Sequence, residues 1–279
     1  MTVPFSATSG RPMSGGGLAP RGLELRGVGL SYGRREVLRG IDLEVGAGEL
    51  VGLLGPNGAG KSSLLRCISG VLPCDGGTIL LDGVPLAEYE RPRLARRLAV
   101  VPGQAALYFP LRVEELVALG RVPHEHPLLG PRPQDRAAVE AAIERVGIGH
   151  LRGRDVRQLS LGERQLAVLA MTVAQGARLM LLDEPTVHLD IRHQVAVMQL
   201  LVDLVARDGV TVLAVLHDVA LASHFFPRLL LLHEGRLVAD GAAPDVLTPE
   251  RVRRVYGVDP QFVSLAGAPT GAPAGAPTG

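Results

Sequence analysis

The sequence predicts an α/β fold in which helices cover both faces of a mostly parallel β-sheet and a helical segment is inserted. Three observations support this prediction. Short apolar runs alternate with helical stretches through most of the 279 residues. From about residue 113 to residue 174 the apolar residues keep helical spacing. A glycine-rich loop that ends in Lys61 and Ser62 lies between an apolar run and a helical stretch, as phosphate-binding loops do.

The strand candidates are apolar at nearly every residue, which is typical of parallel strands buried on both faces. They are the runs 50–54, 78–81, 98–101, 179–182, 210–216 and 229–232. A further strand-like run, 41–45, precedes the glycine-rich loop. Prolines and glycines between residues 123 and 133 interrupt the helical block. We therefore expect an insertion of several helices in an α/β core.

The glycine-rich loop matches the pattern G-x-x-x-x-G-K-[ST] and follows the apolar run 50–54. Its glycines allow successive backbone N–H groups to turn toward phosphate oxygens, and the following helix adds the positive end of its dipole. We expect Lys61 to reach the β- and γ-phosphates and the Ser62 hydroxyl to bind Mg²⁺. The nucleotide-binding residues predicted here are Gly55, Pro56, Asn57, Gly58, Ala59, Gly60, Lys61, Ser62 and Ser63.

Two adjacent acids, Asp183 and Glu184, follow the apolar run 179–182. Ligands bind at the carboxyl ends of parallel strands, and successive strand side chains point in opposite directions, so the two acids can take different roles. We expect Asp183 to belong to the Mg²⁺ site and Glu184 to polarise an attacking water. Alone, such a pair is as often a helix cap; combined with the phosphate-binding loop it indicates nucleotide hydrolysis.

Taken in chain order, the motifs resemble those of ABC transporter ATP-binding subunits over roughly residues 23–264. The matching positions are Tyr32 (A-loop), 55–62 (Walker A), the region near Gln104 (Q-loop), 159–163 (signature), 179–184 (Walker B), 187–190 (D-loop) and His217 (switch histidine). Tyr32 taken alone is more readily a core tyrosine, whereas the ordered set is specific. The resemblance implies a P-loop NTPase core, with a mostly parallel sheet, flanking helices, an antiparallel β part and an inserted helical subdomain at about residues 104–166.

The resemblance also implies the cofactors ATP and Mg²⁺ and a role for each matching residue. Tyr32 would stack on the base, and Gln104 would reach both the nucleotide and the metal ion. Ser160 and Gly162 would cap the nucleotide held by the other subunit of an ATP-bound homodimer. The predicted catalytic residues are Lys61, Glu184 and His217, with His217 contacting the γ-phosphate.

The implied partners are two integral-membrane permease subunits and, indirectly, an external substrate-binding protein. The chain is accordingly expected at the cytoplasmic face of the cell membrane. Segments 114–121, 189–194 and 254–258 resemble the ATPases of iron-siderophore, haem and vitamin B12 importers. This subgroup resemblance favours a ferric siderophore or related iron chelate as the transported substrate. A soluble non-transport ABC ATPase, for instance in iron–sulfur cluster assembly, stays open as an alternative. A P-loop kinase is disfavoured, since the signature and D-loop would then have no role.

The chain departs from the family pattern at several positions. The signature's usual Gly-Gly is Leu161-Gly162, and Leu166 and Met171 stand where relatives usually carry arginines. Counting back without gaps from Phe109 places Gly103, rather than Gln104, at the usual Q-loop glutamine. The lysine, the two acids and the histidine are intact, so we expect an active ATPase.

Composition argues against several other classes of protein. The formal net charge is +1, so the chain lacks the overall basic character of a nucleic-acid binder. Cys67 and Cys74 are expected to be free thiols. His124 and His126 lack a third ligand, so no metal site is expected there. No apolar run approaches the roughly 20 residues of a membrane-spanning helix, and residues 1–21 lack the apolar segment of a signal peptide.

The expected domain organisation is one ATPase domain between two tails. Residues 1–22 are rich in glycine, proline and serine, and residues 265–279 repeat Gly-Ala-Pro. Neither segment has enough apolar residues to form a core, so both are predicted to be flexible, and the C-terminal segment to be disordered. The ATPase domain is predicted to span residues 23–264.

Overall fold

The computed structural model describes residues 22–103, 109–125 and 130–259. The two predicted tails, apart from Gly22, lie outside the described residues, and so do Gln104 and His126.

The larger of two sheets has six strands in the order β10-β9-β3-β8-β7-β6. Its parallel strands are β3 (Leu50–Leu54), β6 (Leu98–Val101), β7 (Leu179–Asp183), β8 (Thr211–Val215) and β9 (Arg228–His233), and β10 (Arg236–Gly241) runs antiparallel to β9. Every residue of β3 and β8 is buried. The continuous apolar runs therefore mark strands covered on both faces, and the prediction of a mostly parallel sheet is confirmed.

The smaller sheet is antiparallel, with the order β2-β1-β4-β5. It comprises β1 (Leu23–Tyr32), β2 (Arg35–Val45), β4 (Gly76–Leu81) and β5 (Val84–Pro85). The predicted run 78–81 belongs here, as part of β4, and not to the parallel sheet. Ile79 and Leu81 are buried whereas Leu80 between them is only half-buried, the alternation of a strand with a single core face. The apolar composition of the run does not distinguish a strand of this sheet from a strand of the parallel sheet.

The six-stranded sheet separates two hydrophobic cores. Leu54, Leu182 and Ala214 face one core, and their neighbours Leu53, Leu181 and Val215 face the other. The helices outside the insertion are α1 (Lys61–Ile68), α2 (Arg91–Ala95), α6 (Ile191–Asp208), α7 (Val219–Phe225), α8 (Ala243–Val246) and α9 (Pro249–Tyr256). Among the described helices, none is long and apolar enough to cross a membrane.

The helical insertion contains α3 (Val113–Leu119), α4 (Pro133–Val146) and α5 (Leu161–Gln175). Arg121, just after α3, donates to Asp135 of α4 at 2.9 Å and to the Ala174 carbonyl of α5 at 2.8 Å. The Asp135 side chain is only 1% exposed. A hydrogen bond from the Arg132 backbone N–H, together with Arg121, holds the pKa of Asp135 below its usual value. One arginine thus joins all three helices.

The two cysteines are Cys67 of α1, which is buried, and Cys74, which is partly buried; both are free thiols in the structure. Burial raises the pKa of Cys67 to about 12, so its thiol is a weak nucleophile.

Candidate functional site

The candidate site begins at the turn from β3 into α1, where Gly55, Gly58 and Gly60 have a positive φ and two of the three also lack room for a Cβ atom. Gly55 has φ +151°, and a Cβ there would lie 2.2 Å from the Leu232 carbonyl oxygen. Gly60 has φ +107°, and a Cβ would lie 3.0 Å from the Val37 carbonyl oxygen. A side chain at either position would displace backbone. The glycines of the motif therefore determine the shape of the phosphate-binding loop.

Lys61 is the first residue of α1, and its side chain is folded back over this loop. The ammonium group donates to the carbonyl oxygens of Gly55 at 2.7 Å and Pro56 at 3.0 Å. Burial lowers the pKa of Lys61, while the charges of Glu184 and Asp183 oppose the shift. A cation at the base of a ring of backbone N–H groups suits the end of a polyphosphate.

Ser62 and Asp183 supply two oxygen atoms close together. The Ser62 hydroxyl donates to Oδ1 of Asp183 at 3.1 Å, although 121 residues separate them in the sequence. Burial raises the pKa of Asp183, so a nearby cation would stabilise its charged form. Mg²⁺ prefers oxygen ligands and is usually held by one or two protein groups together with substrate phosphates. The two residues fit that ion.

Glu184 and His217 are in direct contact above the ends of β7 and β8. The Glu184 backbone N–H donates to the Val215 carbonyl at 3.1 Å, which fixes the acid beside the end of β8. Oε1 of Glu184 lies 2.5 Å from Nε2 of His217. Glu184 also has a positive φ of 55°, unusual for a residue with a side chain. This arrangement orients a carboxylate toward the cleft and suits a general base held by histidine.

Tyr32 lies at the rim of the same cleft. The residue is 47% exposed, so it is not the core tyrosine that the residue type alone would suggest. Its hydroxyl is 3.4 Å from Oγ of Ser63, near the start of α1. The cleft is lined by Tyr32, Arg35, Val37, Asn57, Gly58, Gly60, Lys61, Ser62, Ser63 and Glu184. An exposed aromatic ring at the edge of a phosphate-binding cleft can stack on a base.

The signature residues lie elsewhere and are not among those that line this cleft. Ser160 caps α5, where its hydroxyl accepts from the Glu163 N–H at 3.2 Å and its own N–H donates to the Glu163 carboxylate at 2.8 Å. Leu161 is 57% exposed, so the unusual leucine faces outward. A Cβ on Gly162 would lie 3.3 Å from the carbonyl oxygen of His188. The signature therefore packs against the D-loop and presents a free outer face.

Gly103 lies directly against the Walker B strand end. A Cβ on Gly103 would be 2.9 Å from the carbonyl oxygen of Asp183 and 3.8 Å from Cβ of Glu184. A larger residue at this position would have to displace that backbone or move itself. Gln104 lies outside the described residues, so its predicted contacts with nucleotide and metal ion stay predictions.

Of the two histidines considered for metal binding, His124 is described and has a hydrogen-bonding partner. Nε2 of His124 lies 2.8 Å from the carbonyl oxygen of Gln175, within the helical insertion. His126 lies outside the described residues. Within residues 22–103, 109–125 and 130–259, no group of three or more histidine, cysteine or acidic side chains is placed to hold a metal ion.

Sequence reasoning missed Arg35, which lines the cleft beside Tyr32. The available signal was the position of Arg35 three residues after Tyr32. That signal becomes useful only once the structure pairs Tyr32 of β1 with Arg35 of β2 in register.

Comparisons with known proteins agree with this geometry. The family model described as ABC transporter matches residues 38–187. The chain is similar to the ferric enterobactin transport ATP-binding protein FepC of Escherichia coli (strain K12), with 39% identity over 242 residues covering 86% of this chain and 89% of that protein. It is 43% identical to the hemin import ATP-binding protein HmuV of Streptomyces coelicolor over 231 residues, covering 82% of this chain and 81% of that protein.

A solved structure described as an inward-facing ABC transporter of metal-chelate type matches with a TM-score of 0.74 and 27% identity. The match covers 85% of this chain and 90% of that chain.

Proposed function

This chain belongs to the ABC transporter family, and from that premise we propose that it drives the import of a ferric siderophore or a related iron chelate such as haem, or of cobalamin. The ATP-binding subunits of this family are ATPases coupled to transport, and this chain is one of them. The substrate is inferred from relatives named for ferric enterobactin transport and hemin import. The observation that best supports ATP-driven import is the cleft in which the phosphate-binding loop lies close to Glu184 and its partner His217.

In the proposed mechanism the loop from Gly55 to Gly60 surrounds the phosphates with backbone N–H groups, and Lys61 moves from the loop carbonyls to the β- and γ-phosphates. Ser62 and Asp183 would hold Mg²⁺, which neutralises phosphate charge when bound. Gln104 is proposed as a further contact with the nucleotide and with Mg²⁺. Tyr32 provides the surface on which the base stacks.

Hydrolysis is assigned to Glu184 and His217. The Glu184 carboxylate accepts a proton from water as that water attacks the γ-phosphorus, and His217 holds the carboxylate in place. The bond from the γ-phosphorus to the β,γ-bridging oxygen breaks, so that ADP and phosphate are the products. Because the contact between Glu184 and His217 already exists in the structure, little reorganisation is needed before the reaction.

The signature is proposed to act across a dimer. Ser160 and Gly162 do not line the cleft of their own chain, and the Leu161 face beside them is exposed. In a symmetric, ATP-bound homodimer, the signature of each subunit would close on the nucleotide of the other, producing two equivalent composite sites. The dimer is proposed to lie beneath two permease subunits at the cytoplasmic face of the membrane, with an external binding protein delivering the substrate.

Mixing two inactive variants tests the composite site. Lys61→Ala and Ser160→Arg should each abolish ATPase activity as homodimers, because both sites lose a component. In a mixed dimer one site carries both lesions and the other carries neither, so activity should partly return as mixed dimers form. ATP-dependent association of differently tagged chains provides a second measurement. If mixing restores neither hydrolysis nor association, the assignment of Ser160 across the dimer is wrong.

Uptake measurements test the substrate. Cells that lack this chain should lose uptake of a labelled ferric siderophore, and the unaltered chain should restore it whereas Glu184→Gln should not. Parallel assays with labelled haem and cobalamin identify the preferred member of the class. Unchanged uptake of all three, with ATPase activity intact, would contradict the import proposal and favour a non-transport ATPase.

A further inference from the structure

We propose that Arg35 binds the α-phosphate of the nucleotide, as a cationic contact that the sequence motifs do not include. This inference deepens the proposed function and rests on it. It follows from the path of β2, from the direction of its side chains and from the distribution of charge in the cleft.

Strand β2 runs alongside the phosphate-binding loop. A Cβ on Gly60 would lie 3.0 Å from the Val37 carbonyl oxygen and 2.9 Å from Cδ2 of Leu38. Val37 itself lines the cleft. The strand is therefore held against the last glycine of the loop, and its residues before Val37 extend along the cleft toward Tyr32.

The pairing of β1 with β2 places the Arg35 side chain on the cleft side of that strand. Arg35 is the direct antiparallel partner of Tyr32 on β1, and partners in register share a face. Arg35 lines the cleft together with Val37, which lies at a register shift between the pairs Leu30–Leu38 and Ser31–Glu36. Glu36, between Arg35 and Val37, forms an ion pair with Arg39 at 3.1 Å and does not line the cleft.

The guanidinium of Arg35 is available for a ligand. Within the described part of the chain it has no hydrogen-bond or ion-pair partner, and the residue is exposed. Many other arginines of the chain are paired, for example Arg154 with Glu163 at 2.7 Å and Arg228 with Asp240 at 2.7 Å. An unpaired arginine inside a phosphate-binding cleft has the geometry and charge for a phosphate oxygen.

The distribution of charge along the cleft agrees with this position. The cations Lys61 and Arg66 lie near Asp183, at the end where Mg²⁺ would bind between Ser62 and Asp183. Arg35 adds positive charge beside Tyr32, at the other end of the cleft. With the base against Tyr32 and the terminal phosphate near Lys61 and Glu184, the phosphate nearest β2 is the α-phosphate.

Arg34 provides a matched control. It is also exposed and carries the same charge, but it lies in the turn between β1 and β2 and does not line the cleft. Arg34→Ala and Arg35→Ala therefore change the net charge equally. Any difference in nucleotide affinity between the two variants is therefore due to the local contact of Arg35 and not to the net charge of the protein.

Titration of each variant with ATP and with ADP tests the proposal. Arg35→Ala should raise the Kd for both nucleotides by a similar factor, about tenfold, because both carry the α-phosphate and a charge-assisted contact is lost. Arg34→Ala should leave both Kd values unchanged. Arg35→Lys should recover only part of the loss, because an ammonium cannot form the paired contacts of a guanidinium. Thermal unfolding of the two alanine variants should coincide, which excludes a folding defect.

Three results would overturn the assignment. The first is an equal loss of nucleotide affinity in Arg34→Ala and Arg35→Ala, and the second is no loss of affinity in Arg35→Ala. The third is a loss of affinity for ATP without a loss for ADP, which would place the guanidinium at the γ-phosphate. Failure of the nucleotide-binding part of the proposed function, on which this inference rests, is distinguishable, because the unaltered chain would then neither bind nor hydrolyse ATP. If the unaltered chain does both, a null result concerns Arg35 alone.

Discussion

Glu184→Gln replaces a charged oxygen by an amide nitrogen at the position where the structure orients a carboxylate into the cleft. The variant keeps the size of the side chain, and its remaining carbonyl oxygen can still accept a hydrogen bond from His217, 2.5 Å from the present carboxylate. What it loses is the ability to take a proton from water. The change therefore separates nucleotide binding from the chemical step.

The expected loss follows from that single function. A positioned general base contributes about 10²- to 10⁴-fold to a rate, so kcat should fall by at least about 10²-fold. Each tenfold change is about 1.36 kcal/mol on the barrier, so the minimum loss is about 2.7 kcal/mol. ATP binding should be retained or tightened, because the negative charge of Glu184 near Lys61 disfavours a polyanion.

Phosphate release gives kcat, titration with a fluorescent nucleotide gives the Kd, and size-exclusion chromatography with ATP shows whether dimers accumulate. Asp218→Asn is the matched control. Asp218 follows His217 and caps α7, accepting from the Leu221 N–H at 2.9 Å. Asparagine caps as well as aspartate, so this control makes the same chemical change without loss of stability or activity.

Two results would refute the assignment of Glu184. Hydrolysis near the normal rate by Glu184→Gln, with binding intact, would remove Glu184 from the role of general base. An equal loss in Asp218→Asn would attribute the effect to the overall charge around the site instead.

Two further predictions concern the loop and the helical insertion. Gly60→Ala should abolish tight ATP binding, because its Cβ would displace the β2 backbone. Gly58→Ala should weaken binding less, because Gly58 shares the strain of a positive φ, 80°, but its Cβ would meet no atom within 4 Å. ATP titration compares the two Kd values. Arg121→Ala should lower the urea midpoint more than Arg145→Ala, which removes a half-exposed ion pair of little value. Because the pKa of Asp135 is lowered in the folded state, its contribution is present above about pH 4 and is lost as the pH falls through its folded pKa, so the deficit of Arg121→Ala should narrow in acid. Equal midpoints for the two arginine variants, or a deficit independent of pH, would contradict this role for the pair.

Several parts of this protein can be predicted from the sequence because their causes are local. The loop at residues 55–62 needs glycines, a strand before it and a helix after it, all within about twenty residues of the chain. Burial on both faces makes the strands of a parallel sheet apolar throughout, so β3, β7 and β8 are visible as runs. The order of the motifs then identified the family, which the comparisons confirm.

The tertiary structure decided which residues meet. Ser62 contacts Asp183 across 121 residues, and Glu184 contacts His217 across 33. These contacts depend on the pairing of β7 with β8 in a register that sets Asp183 opposite Val215. The placement of β4 in the antiparallel sheet and the position of Arg35 in the cleft likewise could not be predicted from the sequence. Periodicity reports which face of a strand is buried, but it carries no information about which strand or loop lies against that face. That choice is set by the packing of the whole chain around two cores.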